Sequence, residues 1–291
     1  MFTVKTKKYR LPFSRGILAR SLTRAGVEIA EAYHIAEEIR DMLEKKKTEE
    51  INSEQLMEII YQFLNDKGYK KEAKNYLVWR KFRELGKPII VLIGGGTGTG
   101  KSTIAFDLGY RLGIRSIIGT DTVREVMRKM ISKELLPTLH ASSFKAYSRV
   151  EPPSPYINRT IYAFETQVKY VSVGAEAVIS RAEQEGINLV IDGIHLVPGY
   201  IDTEKENSKI FHFILYLKNK EEYINRFYAR SYGTSRKAEL YVKEFKRILE
   251  IQDFIINKAK EHGVPLIENN SLDDSLDFIM DSMTKELAKE V

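Results

Sequence analysis

One eight-residue string constrains the fold more than any other feature. Gly95-Gly96-Thr97-Gly98-Thr99-Gly100-Lys101-Ser102 satisfies every fixed position of G-x-x-x-x-G-K-[ST]. The apolar run Ile89 to Ile93 precedes it, and Lys101 to Leu112 follows with helical periodicity. A buried strand, a glycine loop and a helix in that order make a phosphate-binding turn. Glycines let consecutive N–H groups face the phosphate oxygens. Lys101 supplies a point charge between the β- and γ-phosphates, and the Ser102 hydroxyl can ligate Mg²⁺. With Thr103 these residues form the expected nucleotide-binding set, and the helix N-terminus adds its partial positive charge. A dinucleotide fingerprint is excluded, because the last glycine of G-x-G-x-x-G would fall on Thr99 or Lys101.

From Pro88 onward, strand and helix patterns alternate. Ser116 to Ile118, Asn188 to Asp192, Lys209 to Lys218 and Pro265 to Glu268 read as strands. Helices are expected from Thr122 to Ser132, from Pro155 to about Glu185, from Asn219 to about Tyr232, from Ser235 to Gly263 and after Ser271. This predicts an α/β fold with a mostly parallel, doubly wound sheet. The first 87 residues read differently: a short strand or hairpin near Phe2 and Val4, then helices capped by Ser14 and Ser53, with Gly68 ending one of them. Gly86-Lys87-Pro88 is the expected boundary, giving a mostly helical domain over 1–87 and the phosphate-loop domain over 88–291.

Composition narrows the function classes. With no cysteine among 291 residues, disulfide scaffolds and Cys-ligated metal sites are excluded. No apolar run reaches the length of a membrane helix, and Met1 to Ser14 has no apolar signal core, so a cytoplasmic protein without membrane association is expected. The net charge of +6 raises nucleic acid as a partner. Its distribution argues against that. Residues 1–87 hold 19 Lys and Arg against 13 Asp and Glu, whereas residues 88–291 hold 27 of each. Lys5, Lys7, Lys8, Arg10, Arg15, Arg20 and Arg24 all precede the first acid, Glu28. This segment is either a solvated arm or an anion site.

Among phosphate-loop classes, a guanine-specific enzyme is disfavoured. Asn219-Lys220-Glu221-Glu222 lacks the Asp of N-K-x-D. Asp192 ends a buried strand and is the candidate for Mg²⁺ or its water, the plain alternative being a strand-end cap. Thr120-Asp121-Thr122-Val123-Arg124 follows another strand at the end of the sheet where ligands bind. Asp121 can orient or deprotonate a hydroxyl nucleophile, and Arg124, one turn on, can hold a carboxylate or phosphate. The alternative is a capping Asp beside a solvated Arg. Arg226, Arg230 and Arg236 flank Ser231-Tyr232-Gly233-Thr234-Ser235, a pattern that suits a lid carrying positive charge to the transferring phosphoryl group. Thr138 to Tyr147, with His140, suits a polar substrate wall.

The stretch Val91 to Leu108, the run Ile118-Gly119-Thr120-Asp121-Thr122-Val123-Arg124-Glu125-Val126-Met127-Arg128 and the continuation Ile131 to Leu139 together resemble the archaeal 2-phosphoglycerate kinases. The resemblance spans the whole chain. It implies a P-loop kinase fold and ATP-dependent phosphorylation of 2-phosphoglycerate to 2,3-bisphosphoglycerate, toward the cyclic diphosphoglycerate of thermophilic archaea. The N-terminal part resembles the ATP-cone, which implies a regulatory ATP. Its usual Asp-Gly turn is replaced by Lys7-Lys8-Tyr9-Arg10-Leu11. Two alternatives stay open: a P-loop kinase for another hydroxy acid, and a nucleic-acid-linked kinase or NTPase. Oligomeric state is not encoded in any of these motifs.

Overall fold

The computed structural model describes residues 2–6, 9–232 and 237–291. Two compact units emerge, Met1–Gly86 with Tyr110–Gly113 and Asp277–Val291, and Lys87–Gly109 with Ile114–Leu276.

In the first unit, β1 (Thr3–Lys5) pairs antiparallel with β2 (Arg10–Pro12) and parallel with β3 (Glu50–Asn52). Four helices follow the hairpin: α1 (Arg15–Ala25), α2 (Ile29–Lys45), α3 (Ser53–Asp66) and α4 (Lys70–Glu84). Ala32, Ile35, Ala36, Ile39 and Leu43 recur on one face of α2 and are all buried. They join Phe2, Leu22, Ile60 and Leu64 in one core. Each large side chain so removed from water contributes about 1.5–3 kcal/mol. Ser14 caps α1 as expected, accepting from the Ile17 amide at 3.4 Å. The cap of α3 is Asn52 rather than Ser53: Asn52 and Gln55 form a reciprocal capping box, and Ser53 is the first helical residue. The short strand β3 has no alternation to announce it and exists through its pairing with β1.

The basic N-terminal segment is not acid-free in space. Arg10 pairs with Glu50 at 3.1 Å and Arg15 with Glu37 at 2.8 Å. Arg24 is half-buried, with its guanidinium 5.6 Å from the Trp79 ring centroid. Burial lowers its pKa to about 10. Lys7 and Lys8 lie outside the described residues. Arg20 lines a cavity of about 190 Å³ with Gly16, Thr23, Ile29 and Tyr33.

The second unit carries a five-stranded parallel sheet. Its strands are β4 (Ile89–Gly95), β5 (Ser116–Gly119), β6 (Leu189–Gly193), β7 (Lys209–Tyr216) and β8 (Leu266–Glu268), in the order β5-β6-β4-β7-β8. Every residue of β4 and β6 is buried, which is why they read as unbroken apolar runs. The helices α6 (Thr120–Met130), α7 (Arg159–Glu185), α8 (Lys220–Ser231), α9 (Ala238–Lys243) and α10 (Phe245–Glu261) belong to this unit, whereas α5 (Lys101–Leu112) and α11 (Leu272–Leu287) each start in it and end in the first. Ala175, Ile179 and Ala182 of α7 pack with Ile90, Leu92, Leu189 and Ile191. Ile248, Ile251 and Ile255 of α10 belong to a separate core with Ile214. The fold is thus the expected α/β sheet with helices on both faces.

Three boundaries differ from expectation. Helix α7 begins at Arg159, because Asn158 accepts from the Thr160 and Ile161 amides and fixes the start four residues past Pro155. Helix α6 begins at Thr120 rather than Thr122. The helix expected from Ser235 to Gly263 is two helices that break at Glu244, and residues 233–236, including Ser235 and Arg236, lie outside the described residues.

Strand register positions the site. Asp192 pairs with Ile93 on one side and Gly119 on the other. The carboxyl ends of β4, β5 and β6 therefore lie side by side, delivering the glycine loop, Thr120-Asp121 and Asp192 to one edge.

Candidate active site

The glycine loop is held by its own backbone geometry and by side chains packed against it. Gly98 and Gly100 have φ of 90° and 91°, a left-handed conformation that disfavours any side chain. A Cβ on Gly96 would stand 2.7 Å from the Tyr223 hydroxyl, and one on Gly98 would stand 2.5 Å from Phe227. The loop thus lies against an aromatic wall on α8. Asn269 donates to the Thr99 carbonyl at 2.8 Å and accepts from Ser275 Oγ at 2.8 Å. Thr99 Oγ1 donates to the Gly96 carbonyl at 2.9 Å. These bonds fix the loop amides in advance, so little reorganisation is needed when an anion binds.

Lys101 Nζ donates to the Gly96 carbonyl at 2.6 Å. Burial pushes its pKa down to about 8, against the pull of Asp192 and Asp121. Ser102 Oγ donates to Asp192 Oδ2 at 2.7 Å. A hydroxyl and a carboxylate, both hard oxygen donors, are thereby joined at the mouth of the loop. Mg²⁺ is held by one or two such groups plus phosphate and water, and this pair fits that requirement. Among the described residues no cluster of three or more His, Cys, Asp or Glu forms an all-protein cage.

Asp121 sits in the first turn of α6 with its side chain 68% exposed, 3.6 Å from Arg124 Nε. Arg124 also has backbone partners. Its Nη1 donates to the carbonyls of Leu139 and Ala141, both at 2.9 Å. Its Nε is buried without a hydrogen-bond partner. The guanidinium therefore ties α6 to the short 3₁₀ turn Pro137–His140 and the residue after it. Arg226 donates from Nη2 to Glu222 and to the Asn269 carbonyl. Its Nη1 lies 3.4 Å from where a Gly100 Cβ would stand, so positive charge borders the loop. Arg230 is half-buried one turn further along α8. His140 hydrogen-bonds the Ile131 carbonyl at 3.0 Å, so one ring nitrogen serves the backbone.

Curated relatives match nearly the entire chain. The 2-phosphoglycerate kinase of Thermococcus kodakarensis is 49% identical over 285 residues, covering 98% of this chain and 97% of that protein. The 2-phosphoglycerate kinase of Methanothermobacter thermautotrophicus is 43% identical over 290 residues, covering 98% and 94%. The chain belongs to the 2-phosphoglycerate kinase family. Membership makes it an ATP-dependent phosphotransferase. Residues 1–85 match the ATP cone domain. Among solved structures, shikimate kinase from Acinetobacter baumannii aligns with a TM-score of 0.38 and 17% identity, covering 70% of this chain and 96% of that one. No helix among the described residues is long and apolar enough to cross a membrane.

The structure adds two candidates that the sequence did not single out, His195 and Gln167, and joins them to Thr120 and Ser143. Thr120 Oγ1 and His195 Nδ1 are 2.9 Å apart. His195 Nε2 lies 3.1 Å from Gln167 Oε1 and 3.4 Å from Ser143 Oγ. Ser143 Oγ donates to Gln167 Oε1 at 2.7 Å. Gln167 Nε2 donates to the carbonyls of Thr138 at 2.6 Å and Ala141 at 3.0 Å. All four side chains are buried. His195 lies three residues after Asp192 and two past the end of its strand, a position that marks it as adjacent. Gln167 lies within a 27-residue helix and carries no sequence signal of its own.

Proposed function

We propose that the protein transfers the γ-phosphoryl group of ATP to the free hydroxyl of 2-phosphoglycerate, giving 2,3-bisphosphoglycerate and ADP. The observation that carries this reading is the convergence of Lys101, the Ser102–Asp192 pair and Asp121 at one sheet edge, within a chain of this family. The 95–100 amides and Lys101 hold the triphosphate, with Thr103 in the same helical turn. Ser102 and Asp192 would hold Mg²⁺, which would supply charge neutralisation when bound. Asp121, exposed toward solvent, orients the acceptor hydroxyl and takes its proton as the O–P bond forms. The bond between the γ-phosphorus and the bridging oxygen breaks, and ADP carries that oxygen away. Arg226 and Arg230 offset charge that builds between two polyanions. Arg124 holds the 137–141 turn and presents its remaining N–H groups to the acid.

The boundary near residue 87 separates a regulatory unit from a catalytic one in this reading. The cavity beside Arg20 is the candidate for a second ATP. At about 190 Å³ it is smaller than the about 300 Å³ at which ligand pockets begin, so a whole nucleotide would extend beyond its mouth. A cytoplasmic location completes the reading, because ATP is the donor.

The test is ADP release with ATP and Mg²⁺ against a panel of 2-phosphoglycerate, 3-phosphoglycerate, glycerate and shikimate. Stimulation confined to 2-phosphoglycerate supports the assignment. Stimulation by another acid alone refutes the acceptor and keeps the kinase.

A further inference from the structure

We propose that His195 is a positioning residue that holds the acceptor wall, residues 138–143, in register with Asp121 through hydrogen bonds to Thr120 and Gln167. The inference rests on the reading that Asp121 orients the acceptor.

The direction of every bond in this network follows from one amide. Both N–H groups of Gln167 are spent on the carbonyls of Thr138 and Ala141. Only its Oε1 faces His195, and a carbonyl oxygen only accepts. His195 Nε2 therefore carries the hydrogen and donates to Gln167. Nδ1 is left with a lone pair, and the Thr120 hydroxyl donates to it. The ring is neutral: burial pushes the imidazolium pKa down to about 3, with Arg124 and Lys101 acting in the same direction and Asp121 opposing them. Nδ1 thus accepts from Thr120, and Nε2 donates toward Gln167 with Ser143 Oγ a longer second neighbour at 3.4 Å, so the assignment is self-consistent.

The partners define the role. Thr120 immediately precedes Asp121 and is buried, so it fixes where the helix carrying Asp121 begins. Gln167 carries the turn on the other side. Arg124 grips the same turn from α6, sharing the Ala141 carbonyl with Gln167. Two ties therefore run from α6 to one wall, one through Arg124 and one through His195. The His195 side chain reaches no solvent, at 0% exposure, so it touches no substrate and relays no proton to bulk water. It hangs from the exit of β6, so its ring also references the wall to the strand that bears Asp192.

The experiment compares full-length wild type with Thr120→Val, Gln167→Leu, His195→Ala, His195→Asn and His195→Gln, varying ATP and 2-phosphoglycerate separately. Thr120→Val, Gln167→Leu and His195→Ala are expected to raise the acceptor KM five- to fiftyfold and leave the ATP KM within twofold. His195→Asn keeps an acceptor for Thr120, and His195→Gln keeps a donor toward Gln167. Each is expected to recover part of the loss. The double variant Thr120→Val with Gln167→Leu is expected to be no worse than the more damaging single one. An unchanged acceptor KM, or an ATP KM that rises in step with it, overturns the proposal. Wild-type turnover decides the acceptor reading separately. If wild type ignores 2-phosphoglycerate, amide hydrogen exchange decides the network. Exchange at 138–143 should then speed at least tenfold in Thr120→Val with 99–104 unchanged, and equal protection overturns it.

Discussion

Lys101 and Asp121 divide the reaction between donor and acceptor, and each has a distinct expected failure. The Lys101 ammonium donates to the Gly96 carbonyl at 2.6 Å, at the loop that would hold the triphosphate. Lys101→Ala removes charge stabilisation that grows as the phosphoryl group transfers, and a loss of about 10³ in kcat is expected. Asp121→Asn keeps size and polarity but cannot take the proton. A loss of about 10²–10⁴ in kcat is expected with circular dichroism unchanged. Wild-type turnover in Asp121→Asn would reduce that residue to a helix-start role. Ser102→Ala should raise the Mg²⁺ concentration needed for half-maximal rate, since the hydroxyl that now donates to Asp192 is one of the two proposed metal oxygens.

At the level of elements, the close approach of β6 and α6 is made possible by Gly193. A Cβ there would lie 2.7 Å from the Thr120 Cβ and closer still to its hydroxyl. Gly193→Ala must push the start of α6 away from β6, separating Asp121 from Asp192. Overpacking of this kind costs about 1–3 kcal/mol, and acceptor KM should rise while the melting temperature falls. The same region shows which elements were legible beforehand. β4, α5 and β6 were plain because burial on both faces demands unbroken apolar runs and because the phosphate loop needs its glycines. The start of α7 was not, since Pro155 and Asn158 both suit a helix start and only the Asn158 side-chain bonds to two amides decide between them. β3 was invisible because three residues with a single buried Ile51 carry no periodicity. Asp192 was legible as a strand-end carboxylate. Arg124 was legible as a cation one turn from Asp121, but not its hold on Leu139 and Ala141, which depends on a turn fifteen residues away in sequence. The His195 network was out of reach because its four residues come from four separate segments.

Across the whole molecule, two histidines tie stability to pH. His195 and His212 are buried and neutral, with pKa values lowered by burial from 6.5 to about 3 and about 4. The unfolded chain binds these protons near pH 6.5 and the folded chain does not. Their contribution is fully present above pH 6.5 and is lost as pH falls toward the folded values. Urea midpoints measured from pH 7 to pH 4 should fall, and His212→Asn should flatten the slope by up to about 1.4 kcal/mol per pH unit, the effect of one proton. The charge excess also reads differently at this scale. The +6 resides in the first 87 residues, and within that region Arg10 and Arg15 meet acids while Arg24 lies half-buried beside Trp79. A nucleic-acid surface gains no support from such a distribution, since these cations are already engaged within their own unit.

The central claim, transfer to the free hydroxyl of 2-phosphoglycerate at the edge formed by Lys101, Asp192 and Asp121, is tested most directly by ³¹P NMR of the products. Two inequivalent phosphomonoester signals of 2,3-bisphosphoglycerate should grow in step with ADP, and both should grow about 10²–10⁴-fold more slowly in Asp121→Asn. ADP accompanied only by inorganic phosphate, or no ADP at all, would contradict it.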